Sequence, residues 1–188
     1  TVVQEGEGIQ FIESVGGLAT GLRTLLTSTQ SSLSGESELL WVGWPGSTMR
    51  DEIRDEVRSK ALSEFSCCPV FLSEQDLENF YQGFCNETIW PLFHYFPTYA
   101  RYDEAYWEQY RKVNESFSVT LLDAIRPDDT VWIHDYHLML LPHLLRKALP
   151  KLRIGFFLHI PFPQFEIFRL IPGKWRRGIL EGLLGADL

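Results

Sequence analysis

Residues 131–142 read VWIHDYHLMLLP. Val131, Trp132 and Ile133 form a short apolar run of the kind that builds a strand buried on both faces of a parallel sheet. His134, Asp135, Tyr136 and His137 interrupt it before Leu138, Met139, Leu140 and Leu141 resume an apolar pattern. Four polar or ionisable side chains between two apolar runs either satisfy one another at a chain reversal or face a ligand.

Outward from this stretch, strands and helices alternate. Short apolar runs at 39–44, 69–72, 130–135 and 153–160 read as strands. Between them, 17–26 carries Leu18, Leu22, Leu25 and Leu26 at helical spacing, and 51–65 carries Ile53, Val57, Ala61, Leu62 and Phe65 behind acidic Asp51 and Glu52. Ser73 opens SEQD, a capping box in outline. Further helices are expected at 104–125, with Pro127 just beyond, at 137–149, with Pro142 in its first turns, and at 174–184. Strands alternating with helices predict an α/β fold with a doubly wound parallel sheet, whose ligands bind beyond the carboxyl ends of the strands. The unusual residues fall at those ends.

The 188 residues suffice for one domain with a core of its own, and 45% hydrophobic with 22% charged residues is ordinary for a soluble globular chain. A formal net charge of -8 argues against broad electrostatic binding to nucleic acid or to an anionic membrane, while leaving room for a local basic pocket. No apolar run is long enough to span a bilayer. Cys67, Cys68 and Cys85 are odd in number and lack metal-type spacing. They suggest no disulfide framework, and a reducing, cytoplasmic setting suits them.

Five constellations are candidates for chemistry, each with a plainer alternative. Gly16 and Gly17 precede a helical pattern that contains Gly21; they form either a phosphate-approaching turn or a simple helix entry. Trp44-Pro45-Gly46 ends a strand in a forced turn, with Trp44 a sugar-facing wall or a cover for the sheet edge. FYQGFCNETIWPLFHY, residues 80–95, is aromatic-dense, with Pro91 interrupting any helix. Tyr81 and Trp90, nine apart, share a helix face only roughly; they belong either to a packed aromatic lid or to a pocket using the phenol and the indole N–H. His134, Asp135 and His137, with His143 beyond, could ligate a metal, but the two-His zinc motif is absent and a satisfied turn is the commoner outcome. A carboxylate at Asp135 could instead hold a sugar hydroxyl or orient an attacking one. His159 ends a second strand before Pro161 and Pro163, and two polar ends on successive strands point to a shared site.

The ordered set VGGLATGL (15–22), WVGW (41–44), FYQGFCNETIWPLFHY (80–95), WIHDYHLMLLP (132–142) and IGFFLHIPFPQFEIFRLIP (154–172) resembles the trehalose-6-phosphate synthase family. The resemblance runs from about Val15 to the end of the chain. It implies a retaining glycosyltransferase of GT-B architecture, with two Rossmann-like domains, moving glucose from UDP-glucose to glucose 6-phosphate. Gly16 and Gly17 then match the donor-diphosphate loop, and Trp44, Tyr81 and Trp90 the acceptor contacts. Asp135 matches the carboxylate that holds acceptor hydroxyls, and His159 the histidine beside the transferred glucose. The resemblance implies no metal and no cofactor besides the donor substrate.

Two departures shape the expectation. The family's opening strand, with its phosphate-holding Arg, does not appear in TVVQEGEGIQF, and the second domain that clamps the donor is missing. Residues 1–188 are therefore expected to be a partial N-terminal, acceptor-binding Rossmann-like domain, inactive by itself. The whole protein could alternatively be a non-catalytic sugar-phosphate sensor, or a glucosyltransferase with another acceptor such as glycerol phosphate. A homo-oligomer or a fused phosphatase domain is compatible with the family.

Overall fold

The computed structural model describes residues 2–5, 8–12 and 39–188. Gly16, Gly17 and the helix expected at 17–26 lie outside the described residues. The chain packs as two compact units, Thr1–Phe71 and Leu72–Leu188.

In the first unit, β1 (Val2–Glu5) and β2 (Gly8–Phe11) form an antiparallel hairpin that the sequence pattern does not announce. The strand β3 (Trp41–Gly43), the helix α1 (Asp51–Phe65) and the strand β4 (Cys67–Pro69) make a β-α-β unit. Its strands pair in parallel, with Trp41 opposite Cys67 and Gly43 opposite Pro69. The first strand is shorter than its apolar run at 39–44, and the second begins two residues before the run at 69–72 and shares only Pro69 with it. Asp51 and Glu52 occupy the first turn of α1, where the free N–H groups favour negative charge. Val57 and Ala61 form its buried face. Gly46, at φ 88°, turns the chain after Trp44-Pro45, a conformation that side chains resist.

The second unit opens on a long helical run. Ser73 caps it reciprocally: its hydroxyl accepts from the Asp76 N–H (3.1 Å), and its own N–H donates to the Asp76 carboxylate (2.7 Å). Helix α2 (Glu74–Asp76) continues into a π-helix (Leu77–Ile89) and then α3 (Trp90–Phe93). Pro91 was expected to interrupt any helix here, and it does not. Proline lacks the N–H that would bond the carbonyl four residues back. That carbonyl, on Glu87, instead accepts from the Arg101 N–H at 2.8 Å. The wider spiral also changes which side chains share a face. The spacing does not give even a rough shared face on an α-helix: nine residues make two and a half turns and would put Tyr81 and Trp90 on opposite sides. With i→i+5 bonding, such as Trp90 N–H to Cys85 carbonyl, each residue turns less, and both rings face the segment that follows β5.

Helix α4 (Glu104–Ala124) starts at Asp103, whose carboxylate accepts from the Ala105 N–H at 2.8 Å. It buries Trp107, Tyr110, Val113 and Phe117 and sets Trp107 and Tyr110 against Phe84, with Phe84 and Tyr110 ring centres 4.2 Å apart and Phe80 also on Tyr110. Next come β5 (Thr130–His134), a 3-10 turn (Tyr136–Leu138), α5 (Leu141–Ala148) and β6 (Arg153–Phe157). The single helix expected over 137–149 is thus two pieces, and Pro142 sits in the first turn of α5, where its missing N–H costs nothing. The short helix α6 (Phe165–Phe168) precedes α7 (Gly173–Leu183). Met139 and Leu140 lie so close to α7 that a Cβ on Gly182 would stand 2.2 Å from the Met139 carbonyl oxygen.

Strands β5 and β6 pair in parallel, with Thr130 opposite Arg153 and His134 opposite Phe157. They are not buried on both faces as their composition suggests: Trp132 is 48% and Phe157 51% exposed within the described residues. On the outer edge of β6, the Asp187 N–H donates to the Ile154 carbonyl (2.8 Å), and Arg146 holds the Asp187 carboxylate at 2.7 Å. No described helix is long and apolar enough to cross a membrane. Cys67, Cys68 and Cys85 are unbridged.

Candidate active site

The carboxyl ends of β5 and β6 lie side by side, and the parallel register brings their polar residues together. The Asp135 N–H donates to the Phe157 carbonyl at 2.8 Å, extending the ladder one residue past β5. The Asp135 backbone then adopts φ 72°, ψ 169°, a region open almost only to glycine. The bend turns the chain into the 3-10 turn, and the carboxylate caps it by accepting from the Tyr136 N–H at 2.9 Å. A residue held in such a conformation marks stored strain of about 1–3 kcal/mol.

Helix α4 braces this bend from beneath. The buried Tyr110 hydroxyl donates to the Tyr136 carbonyl (2.8 Å) and accepts from the Met139 N–H (3.0 Å). One turn on, the buried Asn114 side chain donates to the His137 carbonyl (3.1 Å) and accepts from the Leu140 N–H (3.3 Å). Two side chains at i, i+4 thereby satisfy four backbone groups that a tight turn would leave without partners.

The aromatic side chains of the π-helical run close over the turn. Tyr81 stacks on His137 with ring centres 5.7 Å apart and planes 14° from parallel. Trp90, 45% exposed, lies 5.9 Å from the Tyr136 ring and 4.0 Å from the His94 ring. His137 Nδ1 is 3.9 Å from the Asp135 carboxylate, too far for a hydrogen bond. Burial pushes the His137 pKa down and outweighs the opposing pull of Asp135, so the ring is neutral at pH 7. Burial, with Asp135 adding to it, pushes up both the Cys85 thiol and the Tyr136 phenol, keeping them uncharged beside the carboxylate. These uncharged groups surround the Asp135 carboxylate.

His159 follows β6 by two residues. Its Nε2 lies 3.1 Å from Nδ1 of His134, the last residue of β5. Beyond His159, the Gln164 N–H donates to the Tyr95 hydroxyl at 3.0 Å, tying this loop back to the residues after α3. Tyr95 reaches it from a left-handed backbone at φ 66°.

Of the residues singled out in the sequence, Tyr81, Trp90, Asp135 and His159 gather around the ends of β5 and β6. Trp44 belongs to the first unit, where it follows β3 and its indole N–H donates to the Ser47 carbonyl at 3.3 Å. Gly16 and Gly17 lie outside the described residues. The sequence points to His134 and His137 only as metal-ligand candidates; their contacts with His159 and Tyr81 depend on strand register and on the π spiral, which leave no local pattern. A signal for Tyr110 and Asn114 was present in the form of polar groups on the apolar stripe of a long helix.

A family model for glycosyltransferase family 20 matches residues 9–188. The chain belongs to this family. Relatives include the bifunctional trehalose-6-phosphate synthase/phosphatase of Thermoproteus tenax, 48% identical over 94% of this chain and 24% of its own length. The UDP-forming alpha,alpha-trehalose-phosphate synthase 2 of Aspergillus niger is 42% identical over all of this chain and 38% of its own. A Burkholderia xenovorans alpha,alpha-trehalose-phosphate synthase solved in complex with glucose-6-phosphate superposes with a TM-score of 0.74, at 32% identity over 94% of this chain and 37% of that one. A trehalose-6-phosphate structure from E. coli bound with UDP-2-fluoro glucose gives 0.76, at 35% identity over 95% and 37%. The chain thus spans between 24% and 38% of the length of these relatives. These likenesses bear out the α/β, Rossmann-like reading of the family 20 chain as part of a GT-B glycosyltransferase fold.

Proposed function

We propose that the whole protein is a retaining glucosyltransferase that moves glucose from UDP-glucose to glucose 6-phosphate, giving trehalose 6-phosphate and UDP. Residues 1–188 contribute its acceptor-binding, Rossmann-like part. The observation that carries this reading is Asp135: a carboxylate fixed on a strained backbone at the carboxyl end of β5, beside the strand end that leads to His159, in a family 20 chain.

In this reading Asp135 accepts hydrogen bonds from acceptor hydroxyls and holds the attacking oxygen near the anomeric carbon, removing the entropic cost of bringing two sugars together. Tyr81 and Trp90 frame the acceptor with ring faces, the phenol and the indole N–H. His159 lines the transferred glucose, and the family resemblance assigns Gly16 and Gly17 to the donor diphosphate. As the bond from the anomeric carbon to the UDP oxygen breaks, positive charge grows on the sugar and negative charge on the phosphate. The anomeric hydroxyl of glucose 6-phosphate attacks the same face, and its proton passes to the departing phosphate oxygen. No metal and no further cofactor take part, and no nucleic acid or membrane is a partner. The proposed setting is the cytoplasm.

The test is UDP release by the whole enzyme with UDP-glucose and a panel of sugar phosphates, with and without a chelator. Release that depends on glucose 6-phosphate and survives chelation is expected, with turnover lost in Asp135→Ala. No release with any acceptor overturns the reading; release with glycerol phosphate alone reassigns the acceptor.

A further inference from the structure

His134 makes the one imidazole–imidazole hydrogen-bonding contact at this site. Its Nδ1 is 3.1 Å from Nε2 of His159, and the two rings stack with centres 5.3 Å apart. The contact is set by backbone register: His134 ends β5 opposite Phe157, two residues before His159. Trp132 lies against His134 (4.7 Å) and Phe157 against His159 (4.8 Å), restricting both rings.

Two imidazole nitrogens at hydrogen-bond distance need one donor and one acceptor between them. Burial lowers the His134 pKa, and His159 lowers it further, so His134 is neutral at pH 7. A neutral imidazole in water prefers its proton on Nε2. If the His159 Nε2–H donates to His134 Nδ1, both rings keep that preferred form. The reverse direction would force both into the less favoured one.

We propose that His134 is a positioning residue that holds the proton of His159 on Nε2 and so presents His159 Nδ1 as a hydrogen-bond acceptor for a sugar hydroxyl. The sugar as ligand rests on the transfer reading above; the tautomer does not. The hydroxyl group this site selects is one that donates to Nδ1, so an analogue carrying fluorine in its place loses the contact.

The tautomer is read by long-range proton–nitrogen correlation spectra of this chain with labelled histidines near pH 7.5. Expected is a protonated Nε2 and a bare Nδ1 on His159. In His134→Leu the His159 nitrogens move toward an average of both forms. In His134→Asn, whose side-chain oxygen stands near the former Nδ1, they return toward the wild-type pattern. A protonated Nδ1 on wild-type His159, or identical His159 signals in a folded His134→Leu, overturns the proposal. Should His134→Leu fail to fold, the wild-type and His134→Asn spectra still decide it. In the whole enzyme, His134→Leu is expected to lower kcat by roughly tenfold, the scale of one charge-free hydrogen bond, with partial recovery in His134→Asn. Unchanged kcat in His134→Leu overturns the catalytic consequence. A wild-type enzyme that releases no UDP instead refutes the transfer reading, and the spectra alone then judge the tautomer.

Discussion

Asp135 places a carboxylate where the backbone resists any side chain, at φ 72° and ψ 169°. Two contacts hold it there, the N–H to the Phe157 carbonyl and the carboxylate to the Tyr136 N–H. Removing the carboxylate while keeping a Cβ leaves the strain without its cap, whereas glycine releases the strain. Asp135→Gly is therefore expected to be more stable than Asp135→Ala by about 1–3 kcal/mol in urea denaturation. Equal midpoints would mean that the bend costs nothing. Both variants are expected to lose transfer in the whole enzyme, which separates the stability of this residue from its chemistry. The strain was invisible in HDYH, because an Asp at a strand end reads equally as a relaxed turn. What could be read was that a carboxylate stands there at all.

The bend survives because an element braces it. Tyr110 and Asn114 on α4 satisfy four backbone groups of residues 136–140. Tyr110→Phe keeps the ring against Phe84 and removes a hydroxyl that both donates and accepts. It leaves a buried carbonyl and N–H without partners, and a loss of about 1–3 kcal/mol in unfolding free energy is expected. A change below a few tenths would show that the turn stands unaided. Most elements were legible from apolar periodicity, and two of their ends from Ser73 and Pro127, residues whose capping or missing N–H acts locally. The π-helical stretch was not. Its i→i+5 bonds run over Leu77–Ile89, and near its end the Glu87 carbonyl is taken by Arg101, a partner fourteen residues away that no local pattern announces. That spiral brings Tyr81 and Trp90 to one side, so the element, rather than the sequence spacing, composes this part of the site.

For the molecule as a whole, the histidines couple folding to pH. Burial depresses the folded pKa of both His134 and His137. Above the ordinary histidine value of about 6.5, folded and unfolded chains both carry these rings neutral, and they add no slope. Below it, the unfolded chain takes up protons that the folded chain refuses, so stability falls as pH drops toward the folded values. The urea midpoint is expected to be lower near pH 5.5 than near pH 7.5, and His137→Phe is expected to flatten that difference. A midpoint that rises on acidification would contradict neutral, buried rings. The sequence by itself determined the alternation of strands and helices, the placing of Asp135 and His159 at strand ends, and the likeness to trehalose-6-phosphate synthases borne out at the level of glycosyltransferase family 20. These follow from periodicity, local capping and ordered motifs, which are properties of neighbouring residues. Only the tertiary structure decided that His134 meets His159, that Tyr81 stacks on His137, and that Tyr110 and Asn114 hold the turn. Each of these contacts joins residues 23 or more positions apart, and strand register and helix packing alone set which atoms meet.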